Sequence, residues 1–157
     1  AVKFKIDKLI KINGEKPADF FHRKLGEIMI SKCGISRNKK DLVEALGEID
    51  LLHKEFNNNV KIPSSDSGLN PELEKALRVE DFIELSKLMV RDALEREESC
   101  GAHFREEYQT SEGEAKRNDD FFSHIAVWKF NSTRKIHIRD EEKLLFNNID
   151  VNSRNYK

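Results

Sequence analysis

The chain has 157 residues, of which 38% are hydrophobic and 36% charged, and this length suits one domain with a single core. Its 28 basic and 29 acidic residues leave a formal net charge of -1, which excludes the strongly basic field of proteins that bind nucleic acid or an anionic membrane surface. No apolar run approaches the roughly 18 residues of a membrane span, and residues 1–5 lack the apolar centre of a signal peptide. We therefore expect a soluble, cytoplasmic protein that does not insert into a membrane.

The cysteine and histidine pattern encodes no local metal or disulfide site. Cys33 and Cys100 lie far apart and outside any CxxC pair, which suits a reducing compartment. The histidines show no metal-ligand spacing; they are His22, His53, His103, His124 and His137. The chain begins without methionine and contains no glycine-rich nucleotide loop, which fits either a processed protein or a fragment of a larger one, and we expect a fragment.

Hydrophobic periodicity predicts two helices in the first part of the chain. A short helix is predicted over residues 3–13, because apolar side chains recur there until Gly14 and Pro17 interrupt the pattern. A second, amphipathic helix starts at Pro17 and continues until Gly34.

A third helix is predicted to begin near Asn38, whose side chain can cap the first turn. Its apolar stripe runs at regular spacing to Phe56, and the asparagines at 57–59 end it. The polar stretch 63–68 is predicted to be a surface connection between helices.

The longest helix is predicted to start at Asn70, because a capping asparagine, Pro71 and an acidic residue follow one another there. Its wide apolar face extends from Leu73 to Ala93, and the pattern fades before Gly101.

The predicted fold class is mainly α. Over about residues 1–100 we expect a three-helix up-down bundle, similar to a spectrin repeat. A small β-hairpin and an extended C-terminal tail follow over about residues 101–157. The hairpin would pair strands 123–130 and 135–139 across a turn at 131–133, and it should lie against the bundle or another domain, since an isolated hairpin is marginal.

Reactive side chains are densest just after the longest predicted helix. Cys100 and His103 could pair as thiolate and base, but residues three apart across a glycine turn rarely meet in that geometry, and no oxyanion loop is recognisable. The residue types favour a structural interpretation. Gly101 would supply a left-handed helix end with Ser99 and Cys100 in the last turn, and Arg105 would pair with helix acids or terminal carbonyls.

Two further groups are interpreted as structural. The acidic pairs at 97–98 and 106–107 are expected to be solvated, because adjacent carboxylates point in different directions and cannot act as a catalytic pair. Four aromatic residues are expected to pack in the core or on a docking surface, since no basic groove accompanies them; they are Phe20, Phe21, Trp128 and Phe130.

Residues 91–108, RDALEREESCGAHFREEY, resemble the segment that ends the long helix in succinate dehydrogenase and fumarate reductase flavoprotein subunits. The usual form in that family is an acid followed by Ser, Arg, Gly, Ala and His, and Cys100 stands here where Arg is commonest. The related aspartate oxidases share part of this signature.

Three other segments support the resemblance in the expected order. Residues 25–29 and 33–37, LGEIM and CGISR, resemble the family's second helix and its turn. Residues 70–73 resemble the start of its long helix, and 154–156 resemble the Arg, any residue, Tyr near its C-terminus.

The resemblance implies that residues 1–157 are the C-terminal helical domain of such a subunit, which interconverts succinate and fumarate with FAD held in upstream domains. The chain itself would then bind no FAD, carry no catalytic or metal-binding residue and be inactive alone. Its partners would be the FAD and capping domains of the same subunit, with the iron-sulfur subunit as a further candidate. The parent complex would lie at the cytoplasmic face of the inner membrane.

The resemblance also names candidate docking or structural residues, which are Ser99, Cys100, Gly101, His103, Arg105 and Tyr108. Arg37 is a second candidate for a contact, although a solvent-exposed role in helix capping is favoured for it. Two alternatives stay open. A stand-alone helical adaptor should have a polar exterior, whereas a severed domain should expose an apolar patch; a thiol-dependent enzyme centred on Cys100 should have a depressed thiol pKa.

Overall fold

The computed structural model describes residues 2–63, 68–149 and 152. Its elements in chain order are α1 (Val2–Ile10), β1 (Lys16–Pro17), α2 (Ala18–Lys32), β2 (Ser36–Arg37), α3 (Lys39–Asn59), β3 (Val60–Lys61), α4 (Pro71–Glu95), β4 (Phe104–Arg105), α5 (Asp119–Phe122), β5 (His124–Asn131) and β6 (Ile136–Lys143). About half of the chain is therefore helical, and an antiparallel pair of strands follows the helices. This agrees with the mainly α class predicted from the sequence.

Helices α2, α3 and α4 pack against one another, and α1 lies on α4. The two predicted asparagine caps are confirmed. The side-chain oxygen of Asn38 accepts a hydrogen bond from the backbone N–H of Asp41 at 2.8 Å, and that of Asn70 accepts one from Leu73 N–H at 3.1 Å. Each bond satisfies a backbone donor that has no partner within the helix itself.

The hydrophobic core lies between α2, α3 and α4. Its centre is the edge-on pair of Phe21 and Phe56, whose ring centroids are 5.3 Å apart, and both side chains are fully buried. The stripe predicted for α3 is confirmed as core. The face predicted for α4 is only partly buried, since Phe82, Leu85 and Met89 are exposed. That helix therefore keeps an apolar flank at the surface.

Gly14 marks a close approach between two chain segments. A Cβ atom at this position would come within 2.2 Å of the Asn59 carbonyl carbon, so only glycine fits here. The approach lets Glu15 N–H donate to the Asn59 carbonyl at 3.1 Å and sets β1 parallel to β3. The interruption predicted at Gly14 is thus also a tertiary contact, which sequence pattern did not reveal.

The hairpin β5–β6 is antiparallel, with Trp128 opposite Arg139. The Asn131 side-chain oxygen accepts the backbone N–H groups of Thr133 and Arg134 and so shapes the turn. Strand β6 is longer than predicted, since it continues to Lys143. The residues after it, 144–149, are in neither helix nor strand, and the predicted motif at 154–156 lies outside the described residues.

Within the described part of the chain, no helix combines the length and the apolar character needed to cross a membrane.

The cap of α4 can be tested by substitution. Asn70→Ala should lower the free energy of unfolding by about 1 kcal/mol, because Leu73 N–H loses its acceptor. Urea denaturation measures the change. Asn70→Asp, which keeps an acceptor oxygen, is the control and should cost much less; equal losses for both variants would contradict the capping role.

Candidate functional site

The densest polar cluster lies in the segment 96–108 that follows α4. The helix ends at Glu95, where the backbone N–H of Arg96 still donates to the Asp92 carbonyl at 3.0 Å. The prediction that Ser99 and Cys100 fill the last helical turn, with Gly101 as its left-handed end, is therefore wrong. Residues 96–98 separate the helix end from Ser99, so a glycine still further along the chain cannot terminate the helix.

Gly101 instead occupies a tight turn beyond the helix. It has φ of +58°, in the region that favours glycine. On either side of it, Cys100 N–H donates to the His103 carbonyl at 2.8 Å and His103 N–H donates to the Cys100 carbonyl at 3.0 Å. The turn reverses the chain and sends residues 104–105 back towards the end of α4.

Arg105 replaces the expected glycine as the cap of α4. Its side chain is 1% exposed, and Nη1 donates to three carbonyls at the helix end: Ala93 at 2.9 Å, Leu94 at 3.1 Å and Arg96 at 3.4 Å. The negative end of the helix dipole favours a cation there. The predicted pairing of Arg105 with terminal carbonyls is confirmed.

Ser99 holds the Arg105 backbone in place. Its hydroxyl is fully buried, donates to the Arg105 carbonyl at 3.1 Å and accepts from the Arg105 N–H at 2.8 Å. A single side chain therefore bonds both backbone groups of Arg105, whose neighbours Phe104 and Glu106 make the backbone bonds to residues 35 and 37.

The same segment also reaches the start of α3. Strand β4 pairs in parallel with β2, so that Arg105 lies beside Arg37. The Glu107 carboxylate accepts the backbone N–H of Lys39, the first residue of α3, and its other oxygen accepts Arg105 Nε at 3.1 Å. Although partial burial would raise the pKa of Glu107, the hydrogen bonds from Lys39 and Arg105 lower it below its usual range.

His103 is held in one tautomer. Arg37 Nη1 lies 2.8 Å from its Nδ1, and since a guanidinium can only donate, Nδ1 accepts and the Nε2–H donates to the Arg96 carbonyl at 3.0 Å. Burial lowers the pKa of His103, and the charges of Arg37 and Arg105 lower it further. The imidazole is therefore a neutral bridge between the β2 end and the α4 end.

The side chain of Arg37 belongs to this bridge and does not simply extend into solvent. It is half-buried, and its Nε donates to the carbonyl of Gly34, which lies beyond the C-cap of α2. The solvent-exposed helix-capping role favoured for Arg37 from sequence is therefore not what the structure shows.

Cys100 and His103 are joined through their backbones and not as a catalytic pair. Both ring nitrogens of His103 are already bonded, one to Arg37 and one to the Arg96 carbonyl. An imidazole held in this way has no nitrogen left to accept a thiol proton. The arrangement disfavours the thiol-dependent enzyme that the sequence left open.

A buried ion pair beside the turn was missed by sequence reasoning. Glu98 is 2% exposed, which corrects the expectation that it is solvated; Glu97, Glu106 and Glu107 are exposed as expected. Arg96 Nη2 lies 2.7 Å from the Glu98 carboxylate, and Asn118 N–H donates to the carboxylate at 2.8 Å. No signal in residues 97–98 alone distinguishes the two acids.

Arg96 also ties the hairpin to the end of α4. Its guanidinium donates to the Phe122 carbonyl at 2.9 Å and to the His124 carbonyl at 3.3 Å. Together with Glu98, these bonds fix the start of β5 beside the turn.

Tyr108 closes the cluster on its outer side. Its ring lies against the Arg105 guanidinium, with 5.4 Å between the guanidinium carbon and the ring centroid. Burial and then the neighbouring Glu97 carboxylate raise the pKa of Tyr108. The hydroxyl therefore stays protonated at neutral pH.

A cleft of about 270 Å³ opens between this turn and the tail. Charged and apolar side chains both line it, among them Cys100, Arg117 and Phe146. Its cations are already paired, since Arg96 bonds Glu98 and Arg117 bonds Asp119 at 2.5 Å.

In the described ranges no three His, Cys, Asp or Glu side chains converge closely enough to hold a metal ion. The cluster is thus arranged to connect helix ends, and its polar groups are mostly used in doing so.

Removing the Arg105 clamp should destabilise the fold strongly. We expect Arg105→Ala to lower the free energy of unfolding by about 3–5 kcal/mol, because buried carbonyls and the Glu107 carboxylate lose their partner. Arg105→Lys should recover little, since an ammonium cannot reproduce the planar fork. Arg78→Ala, which removes an exposed arginine paired with Glu74, is the control and should leave the denaturation midpoint unchanged.

The lowered pKa of His103 predicts acid sensitivity. The unfolded chain takes up a proton near pH 6.5 and the folded site only at lower pH, so the His103 contribution to stability is complete above pH 6.5 and is lost as pH falls below it. His103→Gln should therefore show a smaller loss of stability between about pH 7 and pH 5 than the unaltered chain.

Chemical denaturation at several pH values measures this slope. His53 also has a lowered pKa, through burial and the nearby Lys87, so part of the acid sensitivity should persist in the variant. His22→Gln at an exposed position is the control and should leave the slope unchanged. If His103→Gln keeps the full slope, the histidine is not a buried neutral group.

Comparison with known proteins gives matches over most of the chain. The family model described as fumarate reductase flavoprotein C-term matches residues 22–156. One subunit of the fumarate reductase (CoM/CoB) of Methanothermobacter marburgensis is 31% identical over 114 residues, which cover 73% of this chain and 20% of that protein. The fumarate reductase flavoprotein subunit of Helicobacter pylori strain J99 is 32% identical over 112 residues, which cover 71% of this chain and 15% of that protein.

Among solved structures, the E. coli quinol fumarate reductase FrdA superposes with a TM-score of 0.80 at 20% sequence identity. The superposition covers 95% of this chain and 24% of that one, and at this identity it shows a shared fold. The chain thus spans a quarter or less of the length of each of these proteins.

Proposed function

The chain belongs to the family of fumarate reductase flavoprotein C-terminal domains, and from this premise we propose that it is the C-terminal structural and docking domain of a fumarate reductase or succinate dehydrogenase flavoprotein subunit. In this proposal the parent subunit interconverts succinate and fumarate with FAD that is held by domains upstream of this one. Residues 1–157 then form one domain, with α2, α3 and α4 in up-down order and an appendage from about residue 101.

The proposal rests on one observation: the side chains of the signature residues form hydrogen bonds within the protein itself. The Arg105 guanidinium donates to carbonyls at the end of α4, and the two ring nitrogens of His103 bond Arg37 and the Arg96 carbonyl. Side chains bonded in this way hold the turn rigidly and are not poised to react with a substrate. The support role therefore fits the geometry better than a catalytic role does.

The exposed apolar side chains favour a domain with a neighbour over a stand-alone adaptor. Large hydrophobic residues are exposed on the hairpin and the tail; they include Ile125 at 52%, Phe130 at 61%, Ile136 at 46%, Leu145 at 82% and Ile149 at 74%. We propose that the hairpin and the tail contact the FAD and capping domains of the same subunit, with the iron-sulfur subunit as a further partner. The complex would lie at the cytoplasmic face of the inner membrane.

The proposal is tested by calorimetric titration. The purified chain should give no binding heat with FAD or with fumarate, and it should bind a separately expressed FAD-containing region of the parent subunit. Binding of either small ligand to the chain alone would contradict the support role and would place an active site within these residues.

Paired variants identify the docking side. Ile125→Lys on the hairpin should weaken binding to the FAD-containing region by at least about tenfold, because it places a charge in an apolar contact. Ile30→Lys on α2, which is 81% exposed, is the matched control and should change the affinity little. If the two effects are reversed, the docking side lies on α2 and not on the hairpin.

A further inference from the structure

The forces that hold the hairpin on α4 differ from those that hold α2, α3 and α4 together. Within the described residues, the hydrophobic core draws its side chains from positions up to Leu94 and takes none from 124–143. The hairpin therefore does not share the apolar core that stabilises α2, α3 and α4.

The burial pattern of β6 is reversed relative to a strand of an ordinary amphipathic hairpin. In the first half of β6, His137 and Arg139 are half-buried, whereas the alternating Ile136 and Ile138 are exposed. A hairpin that packs on a helix by apolar burial would show the opposite alternation. The side of β6 that is turned away from solvent is thus the polar one.

This polar side of β6 contacts acidic residues of α4. Arg139 Nε lies 3.4 Å from an Asp92 carboxylate oxygen and 3.2 Å from one of Glu95. The indole N–H of Trp128, the only tryptophan in the sequence, donates to Asp92 at 3.2 Å. Near the turn of the hairpin, His137 Nδ1 lies 3.7 Å from Glu84.

We propose that β5–β6 is a releasable arm, latched onto the acidic side of α4 by these polar contacts and able to leave it while the helices stay folded. Ion pairs of partly exposed groups contribute little each and weaken with salt, in contrast to apolar burial. Once released, the hairpin loses support, because a two-stranded hairpin is marginal alone. The arm is thus a separate unit of local opening. This inference does not depend on the proposed function.

Hydrogen exchange of the whole chain tests the latch. Raising sodium chloride from about 0.1 M to about 1 M shortens the Debye length from about 10 Å to about 3 Å. Amides of β5 and β6 should then exchange at least about threefold faster, while the core amides of α2, α3 and α4 keep their rates. The fluorescence of Trp128 should shift to longer wavelength in parallel, because the indole becomes solvated.

Variants separate the latch from general stability. Asp92→Ala removes the acceptor shared by Trp128 and Arg139 and should speed hairpin exchange by roughly tenfold without changing the core amides. Glu142→Ala, on the opposite, exposed face of β6, is the matched control and should have no effect.

Two results would overturn the inference. If hairpin and helix amides exchange at one common rate, the chain opens as a single unit. If neither salt nor Asp92→Ala changes hairpin exchange or Trp128 emission, the polar contacts with α4 do not hold the arm.

Discussion

The second half of the chain is organised around the hydrogen bonds of the buried Arg105 guanidinium. The guanidinium satisfies carbonyls at the end of α4, and through Glu107 it is linked to the first backbone N–H of α3. Arg105 thus compensates the negative end of the α4 dipole, and Glu107 compensates the positive end of the α3 dipole. Ser99 and His103 then fix the loop that carries Arg105.

Features encoded within a few residues were predictable from sequence. The caps at Asn38 and Asn70, the α3 stripe and the two hairpin strands follow from local patterns, and the structure confirms them. The end of α4 was misplaced because Gly101 is a strong helix-end signal in sequence, and only the fold shows that a cation supplies the cap instead.

Features that depend on distant partners were not predictable. Glu98 is buried because Arg96 and Asn118 N–H surround it, whereas the neighbouring Glu97 is exposed, and no pattern distinguishes the two. The bridges β1–β3 and β2–β4 are two residues long and have no periodicity to detect. The burial of the polar side of β6 was not predictable either, because it depends on the acidic residues of α4, which lie far away in sequence.

The pairing of β2 with β4 also has a consequence for the order of folding. It joins Arg37 to Arg105 across a long stretch of chain that includes α3 and α4. Closing so long a loop costs entropy, and packing of the intervening helices reduces the cost by bringing the two ends together beforehand. The turn that carries the family signature should therefore form late, so that its surface is complete only on molecules whose helices have already assembled.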